Sequence, residues 1–364
     1  MPKRLFVAAT RQNEGKTTTS LGLIAALLKR GLKVGFIKPV GQRYVKHEGM
    51  KVDEDALLVE QVCGVDCRLG DMSPVAVERD FTRKYIDGQA DQRGLRSRIV
   101  DSYSRVAVDK DVVVIEGTGH AGVGSVFGLS NAVVAKTLDA KAIVISSGGI
   151  GRPLDEIMLN HCLFKTEGVP VIGAIINRCL REKLDQVKDY CSRSLESNGM
   201  KLLGAIPVAD RLSTPTIAQV MEEIGGELIN GEEFLESPIE RVVIGAMSAH
   251  NALNHFGGNV LAVTPGDRED LILAAMSSCV VGVSKAYCVA GLVLTGGLRP
   301  HQTIMRLIRR TTIPVIAVES DSYSTASTIH DIMVKIRPND ERKIELARRL
   351  VERHVDVDAI LAAF

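Results

Sequence analysis

Short apolar runs alternate with longer helical patterns along most of this chain. Leu5–Ala9 is an apolar run that breaks into a polar loop. Thr17–Arg30 then places Leu21, Ile24, Ala25 and Leu28 on one helical face, and Gly31 stops the helix. The cadence returns with a strand at Lys33–Ile37, a helix at Gly94–Val108 and a strand ending at Glu116. Further on, helices are predicted over Ser130–Leu138, from Pro153 to Thr166, and over Glu182–Asn198. Strands are predicted at Ala142–Ser146, Val169–Ile176 and Leu202–Ile206. Val112–Ile115 is a run of β-branched residues, the mark of a strand buried on both faces in a parallel sheet. Residues 68–90 carry no clear period and predict irregular structure. Strands alternating with helices predict an α/β fold with a doubly wound, mostly parallel sheet.

The pattern loosens from Pro207 to Glu240, apart from a helix at Thr216–Ile224, and a second α/β series follows. Its predicted strands are Arg241–Ala246, Asn259–Val263, Val289–Leu294 and Pro314–Val318. Its predicted helices are Arg268–Val281, His301–Arg309 and Thr325–Ile336. A charged amphipathic helix after Pro338 closes the chain. The expected division is a nucleotide-binding domain over 1–210, a smaller α/β domain over 211–336 and a helical tail over 337–364.

Composition narrows the partners. The 364 residues carry 45 Lys and Arg against 44 Asp and Glu, so neither nucleic acid nor an anionic membrane is expected as a bulk partner. No apolar run reaches the roughly 18–20 residues of a membrane span, and the N-terminal run is too short for a signal peptide. A cytoplasmic protein is expected. The seven cysteines are odd in number and scattered, which argues against a disulfide framework. Cys63 and Cys67 lack a second ligand pair and read as structural.

The candidate chemistry begins between the first strand and the first helix. The loop ends in Gly15-Lys16-Thr17, the layout of a phosphate-binding P-loop, although Thr10 stands where the strict motif has its first Gly. Backbone N–H groups and the positive helix end attract phosphate oxygens. Lys16 would reach the β/γ-phosphates and Thr17 would bind Mg²⁺. Thr10, Arg11, Asn13, Glu14 and Gly15, with Lys16, Thr17 and Thr18, are the nucleotide-binding candidates there. Lys38 ends the second strand, where α/β sheets bind ligands, and also reads as an exposed strand end. Asp53 and Asp55 open a helix, either complementing its dipole or offering oxygens to Mg²⁺. Glu116 is an acid at the end of a buried strand, a Walker B arrangement, and Gly117 and Gly119 allow close backbone approach to a γ-phosphate. Asn177, at another strand end, can pair with adenine as both donor and acceptor. In the second series the loops holding Asp267 and Arg268, Thr295, Gly296 and Gly297, and Glu319 share one sheet edge. They form a possible ligand site, or merely a helix cap and a turn.

These motifs together resemble the dethiobiotin synthetase type of P-loop protein, related to cobyrinic acid diamide synthases and partition ATPases. The match rests on ATRQNEGKTTTS, FIKPV (36–40), DALLVEQV (55–62), VVVIEGTG (112–119) and AIINR (174–178). Residues 215–330 resemble the DRTGG domain, through Asp267-Arg268 and Thr295-Gly296-Gly297. The order of the two resembles the N-terminal region of long bacterial phosphate acetyltransferases, up to where their catalytic domain would begin. The resemblance implies ATP and Mg²⁺ as cofactors, with metal at Thr17, Asp55 and Glu116. It implies catalytic roles for Lys16 and Lys38, adenine at Asn177, and Asp55 rather than Asp53 in the metal site. A threonine matching Thr10 is a trait of that family, and Arg11 holds the place of the partition ATPases' extra lysine.

Three functions follow as expectations. The first is a Mg-ATP-binding regulatory module whose DRTGG domain senses a small-molecule effector, acting on a separate acetyltransferase and self-associating into a homo-oligomer. Another is an ATP-dependent ligase that phosphorylates a small carboxylate. The last is a partition-type ATPase switch. Enzymatic activity beyond weak ATP hydrolysis or such a ligase step is not expected.

Overall fold

The computed structural model describes residues 1–78, 80–89, 92–280 and 289–364. The chain divides into two compact units, Met1–Ala209 with Ile336–Phe364, and Asp210–Lys335.

In the first unit the main strands are β1 (Lys3–Ala9), β2 (Val34–Ile37), β3 (Tyr44–His47), β4 (Met50–Asp53), β5 (Val112–Glu116), β6 (Lys141–Ser147), β7 (Val171–Cys179) and β8 (Lys201–Pro207). The main helices are α1 (Lys16–Lys29), α2 (Glu54–Cys63), α3 (Gln92–Val106), α4 (Asn131–Thr137), α5 (Arg152–Thr166) and α6 (Leu184–Glu196). Six strands form one parallel sheet in the order β8-β7-β6-β1-β5-β2. The chain winds from β1 towards β2 on one side and through β6 to β8 on the other. The carboxyl end of β1 therefore lies at the switch point where such sheets bind ligands. Phe6, Val113, Ile115 and Val144 on the sheet and Ile157 and Phe164 on α5 are buried in one core. Burial of side chains such as Leu21, Leu23, Ile24 and Leu27 fixes α1, each contributing about 1.5–3 kcal/mol.

One hairpin escapes the sequence pattern. Tyr44–His47 and Met50–Asp53 form an antiparallel hairpin. Its two turn residues, Glu48 and Gly49, both have positive φ, 48° and 78°. A Glu-Gly pair lacks the Asn-Gly or Asp-Gly signal of such turns. The hairpin delivers Asp53, which accepts a 3.0 Å hydrogen bond from the Asp55 N–H and caps α2. Residues 68–90 are, as expected, broken into short pieces, with helices at Leu69–Met72 and Phe81–Ile86; Arg79 and Ala90 lie outside the described residues.

The second unit contains α7 (Ile217–Ile224), β9 (Glu227–Asn230), β10 (Arg241–Ile244), β11 (Val260–Pro265), α8 (Glu269–Val280), β12 (Gly291–Thr295), α9 (Gln302–Ile308), β13 (Val315–Ala317) and α10 (Ser322–His330). Its sheet runs β9-β13-β12-β11-β10 and is parallel except for the edge strand β9. Val281, the expected end of α8, lies outside the described residues. α10 starts three residues earlier than its apolar pattern implies, because Asp321 caps it by accepting from the N–H groups of Tyr323 and Ser324. It ends at His330 rather than Ile336; Ile329 and Ile332 pack into the second unit's core on either side of that end.

The last segment returns to the first unit as α11 (Glu341–His354) and α12 (Val357–Ala362). α11 lies against α1 at Gly22, where a Cβ would meet Val351 Cγ2 at 2.3 Å and the Ala347 carbonyl oxygen at 3.0 Å. Arg348 donates to the Val62 carbonyl at 2.9 Å, and Lys3 and Lys141 donate to the Leu361 and Ala363 carbonyls. The helix that carries the P-loop lysine is thus backed by the end of the chain.

Candidate nucleotide site

The loop from Thr10 to Gly15 leaves β1 at the switch point and feeds α1. Gly15 caps α1 in the left-handed region at φ 90°, and a Cβ there would lie 2.2 Å from Asn177 Nδ2. Asn13 also has a positive φ, 63°. From the end of β7, Asn177 donates to the Glu14 carbonyl at 2.9 Å and its Oδ1 accepts from the Arg178 N–H. One end of the amide therefore braces the loop and the other the last residues of β7. Thr10 is buried and shares a 3.1 Å hydrogen bond with Ser146 at the end of β6.

Lys16 opens α1, is buried, and reaches the Arg11 carbonyl at 3.4 Å. Burial lowers its ammonium pKa to about 8, against the pull of Glu116. Thr17 donates to Glu116 Oε1 at 3.3 Å. Thr18 is half-buried on the following position of the helix.

Lys38 is buried at the end of β2, which removes the exposed strand-end reading. Its ammonium donates to Asp55 Oδ2 and to Glu116 Oε1, the latter at 3.0 Å, and lies 3.7 Å from Asp53 Oδ1. Burial would lower its pKa, but the Asp55, Glu116 and Asp53 carboxylates more than offset this and hold it raised. Burial also pushes the Asp53 carboxyl up to about 6, against Lys38. Glu116 is fully buried, and its Oε2 has no hydrogen-bond partner among the described residues.

Whether these groups suit a divalent cation can be read from their chemistry. Thr17, Asp55 and Glu116 offer only oxygen, as a hard cation prefers, and the buried Oε2 of Glu116 is an unused acceptor. Among the described residues no set of three or more acidic, His or Cys side chains is arranged to hold a metal unaided. Mg²⁺ generally takes one or two carboxylates and fills its shell with phosphate and water. The residues fit the ion as one partner of a nucleotide.

Gly117 and Gly119 follow Glu116. A Cβ at Gly117 would meet Asn131 Oδ1 and Phe6 Cε1, each at 2.8 Å, and Gly119 has φ 65°. Asn131 fixes this loop: it accepts from the Thr118 N–H and donates to the Thr118 and His120 carbonyls. The exposed His120 accepts from the Gly122 N–H.

Sequence reasoning missed the residues that hold these loops. Asn131 gives no signal beyond following the α4 cap Ser130. Glu156 pairs with Arg11 and, at 2.7 Å, with Arg152. Burial would raise its carboxyl, but the hydrogen bonds from Arg152 and Arg11 hold it lowered. Only the i,i+4 spacing to Arg152 is visible in the sequence.

In the second unit, the loops that carry Asp267-Arg268 and Thr295-Gly296-Gly297 follow the paired strands β11 and β12. The Gly266 N–H donates to the Thr295 carbonyl at 3.2 Å. Arg268 grips both oxygens of Asp270 at 2.9 Å and donates to the Met247 carbonyl. Thr295 pairs with Ser322 at 2.7 Å, the N–H groups of Gly296 and Gly297 donate to Ser320 and Val318, and Asp267 is exposed.

Comparison with known proteins agrees with this architecture. The AAA_26 family model, an AAA domain, matches residues 3–216, and the DRTGG domain model matches residues 219–332. A phosphate acetyltransferase of Pseudomonas aeruginosa is 32% identical over 97% of this chain and 51% of its own length. One from Nitratidesulfovibrio vulgaris is 29% identical over 98% and 51%. The chain spans about half the length of the curated relatives it matches. Among solved structures, the septum site-determining protein MinD of Pyrococcus horikoshii, complexed with Mg-ADP, aligns over 58% of this chain and 84% of its own at 19% identity and TM-score 0.36. Among the described residues no helix is long and apolar enough to cross a membrane. The chain belongs to the AAA_26 family of P-loop domains, here followed by a DRTGG domain.

Proposed function

We propose that the first unit binds Mg-ATP and that the chain is a regulatory module in which nucleotide state and a DRTGG-domain effector are combined. One observation carries the nucleotide assignment: Thr17, Lys38, Asp55 and Glu116, separated by up to 99 positions, meet next to Lys16 and a loop that Asn177 ties down at Glu14. Lys16 and the loop N–H groups would take the β- and γ-phosphates. Thr17, Asp55 and Glu116 would hold Mg²⁺, which when bound neutralises phosphate charge. Gly117 and Gly119 would let the backbone approach the γ-phosphate, and Asn177 would place the loop and the edge of the base. Arg11, with Asn13, Glu14, Thr10 and Thr18, would line the remaining approach.

The regulatory part rests on the similarity to about half of each acetyltransferase, which supports an N-terminal, non-catalytic region acting on an acetyltransferase. Asp267, Arg268, Thr295, Gly296 and Gly297 would form the effector site. Calorimetric titration with ATP and Mg²⁺, repeated on Lys16→Ala, tests the nucleotide site. Acetyltransferase activity measured with and without this chain and ATP tests the regulatory role; no change in rate or oligomeric state would remove it.

A second reading is favoured by the two lysines. Lys38 is bonded to Asp55 and Glu116, and Lys16 precedes the Thr17 that donates to Glu116, a pair of cations such as a phosphoryl transfer to an acid would need. ADP release that rises with one member of a panel of small carboxylates would support this ligase reading, and a flat panel would discard it.

A further inference from the structure

Lys38 occupies the point on which the candidate metal ligands converge. Its ammonium is bonded to Asp55 and Glu116 and lies 3.7 Å from Asp53, with only 7% of the side chain exposed. Lys38 and Thr17 share the same oxygen, Glu116 Oε1, at 3.0 and 3.3 Å. An ammonium at hydrogen-bond distance from these oxygens and a divalent ion coordinated by them would repel each other strongly in a buried site. The carboxylates, in turn, would be costly to bury without a cation among them.

We propose that in the nucleotide-free protein Lys38 is a built-in counter-cation that closes the Asp53, Asp55 and Glu116 cluster to divalent ions. Incoming phosphate opens it by giving the ammonium another anion. The divalent ion then enters with the nucleotide and not before it. This inference rests on the metal assignment made above for Thr17, Asp55 and Glu116.

The test uses Mn²⁺ alone, with no nucleotide, followed by electron paramagnetic resonance of the free ion. Wild type should bind Mn²⁺ weakly at this site, and Lys38→Met should bind at least about tenfold more tightly. Lys38→Arg, which keeps a cation, should stay near wild type. Lys38→Met combined with Glu116→Gln should lose the gain, which assigns the ion to this cluster. Equal or weaker Mn²⁺ binding by a cooperatively melting Lys38→Met contradicts the proposal. Should Lys38→Met be unfolded, millimolar Mn²⁺ should restore its melt, and a variant left unfolded by Mn²⁺ counts equally against it. Failure of the nucleotide assignment is visible separately. ATP would then not bind wild type at all, whatever Mn²⁺ does to Lys38→Met.

Discussion

Gly15 and Asn177 leave no room for a side chain between them: a Cβ on residue 15 would stand 2.2 Å from the amide nitrogen that holds the Glu14 carbonyl. The contact joins the loop after β1 to the end of β7, so the P-loop's shape depends on a residue more than 160 positions away, counted from the 163 separating Asn177 and Glu14.

Gly15→Ala should therefore be doubly penalised, by φ 90° and by the clash. We expect a loss of about 1–3 kcal/mol in stability and more than about tenfold in ATP affinity. Adding Asn177→Gly should remove the clash but not the backbone strain, so recovery should be partial. Full recovery would show that the backbone conformation is not strained.

The backing of α1 by α11 makes a separate prediction. Gly22→Ala should cost about 1–3 kcal/mol, because the added Cβ meets Val351. Val351→Gly, which removes both the Cβ and the Cγ2 that the added methyl meets, should lower that cost, giving a coupling of about 0.5–3 kcal/mol in a double-mutant cycle. Denaturant melts of the four proteins supply the cycle, and strict additivity would mean that the helices do not meet there.

Arg11 and Glu156 form an ion pair in which the Arg11 side chain is 50% exposed. Screening limits such a pair, so Arg11→Ala should change stability by less than about 1 kcal/mol. A larger shift in the melt would mean that the pair is more sheltered than its exposure implies. Size measurements of wild type and Arg11→Ala with and without ATP separate a structural tie from a role in self-association.

The thiols should react in a fixed order. Cys162 is exposed, whereas Cys179 and Cys191 are buried and burial pushes each thiol up to about 11. A raised thiol pKa means less thiolate, only about one part in a thousand at pH 8. Alkylation followed by mass spectrometry should label Cys162 before Cys179 and Cys191, which should follow only as the pH rises or the protein unfolds. Early labelling of Cys179 would contradict the burial.

Much of this was legible in the chain. The run Val112–Ile115 announced a strand buried on both faces, and Lys16-Thr17 announced the loop, because both signals are local. Glu116 could be placed at a strand end, but its meeting with Lys38 and Asp55 could not, since two separate strand ends and the first turn of α2 supply them. Asp53 and Asp55 could not be told apart from spacing; in the structure Asp53 caps α2 and lies 3.7 Å from the Lys38 ammonium, while Asp55 bonds it directly. The partnership of α11 with α1 was hidden as well. An amphipathic helix announces that it covers something, and only the missing side chain at Gly22 marks where.

The most direct test of the account is the affinity for Mg-ATP, measured by calorimetry on wild type and on Lys16→Ala. The account predicts saturable one-site binding to wild type that requires Mg²⁺ for full affinity and falls by more than about tenfold in the folded variant. Equal binding by the two proteins, or none by a well-folded wild type, would contradict it.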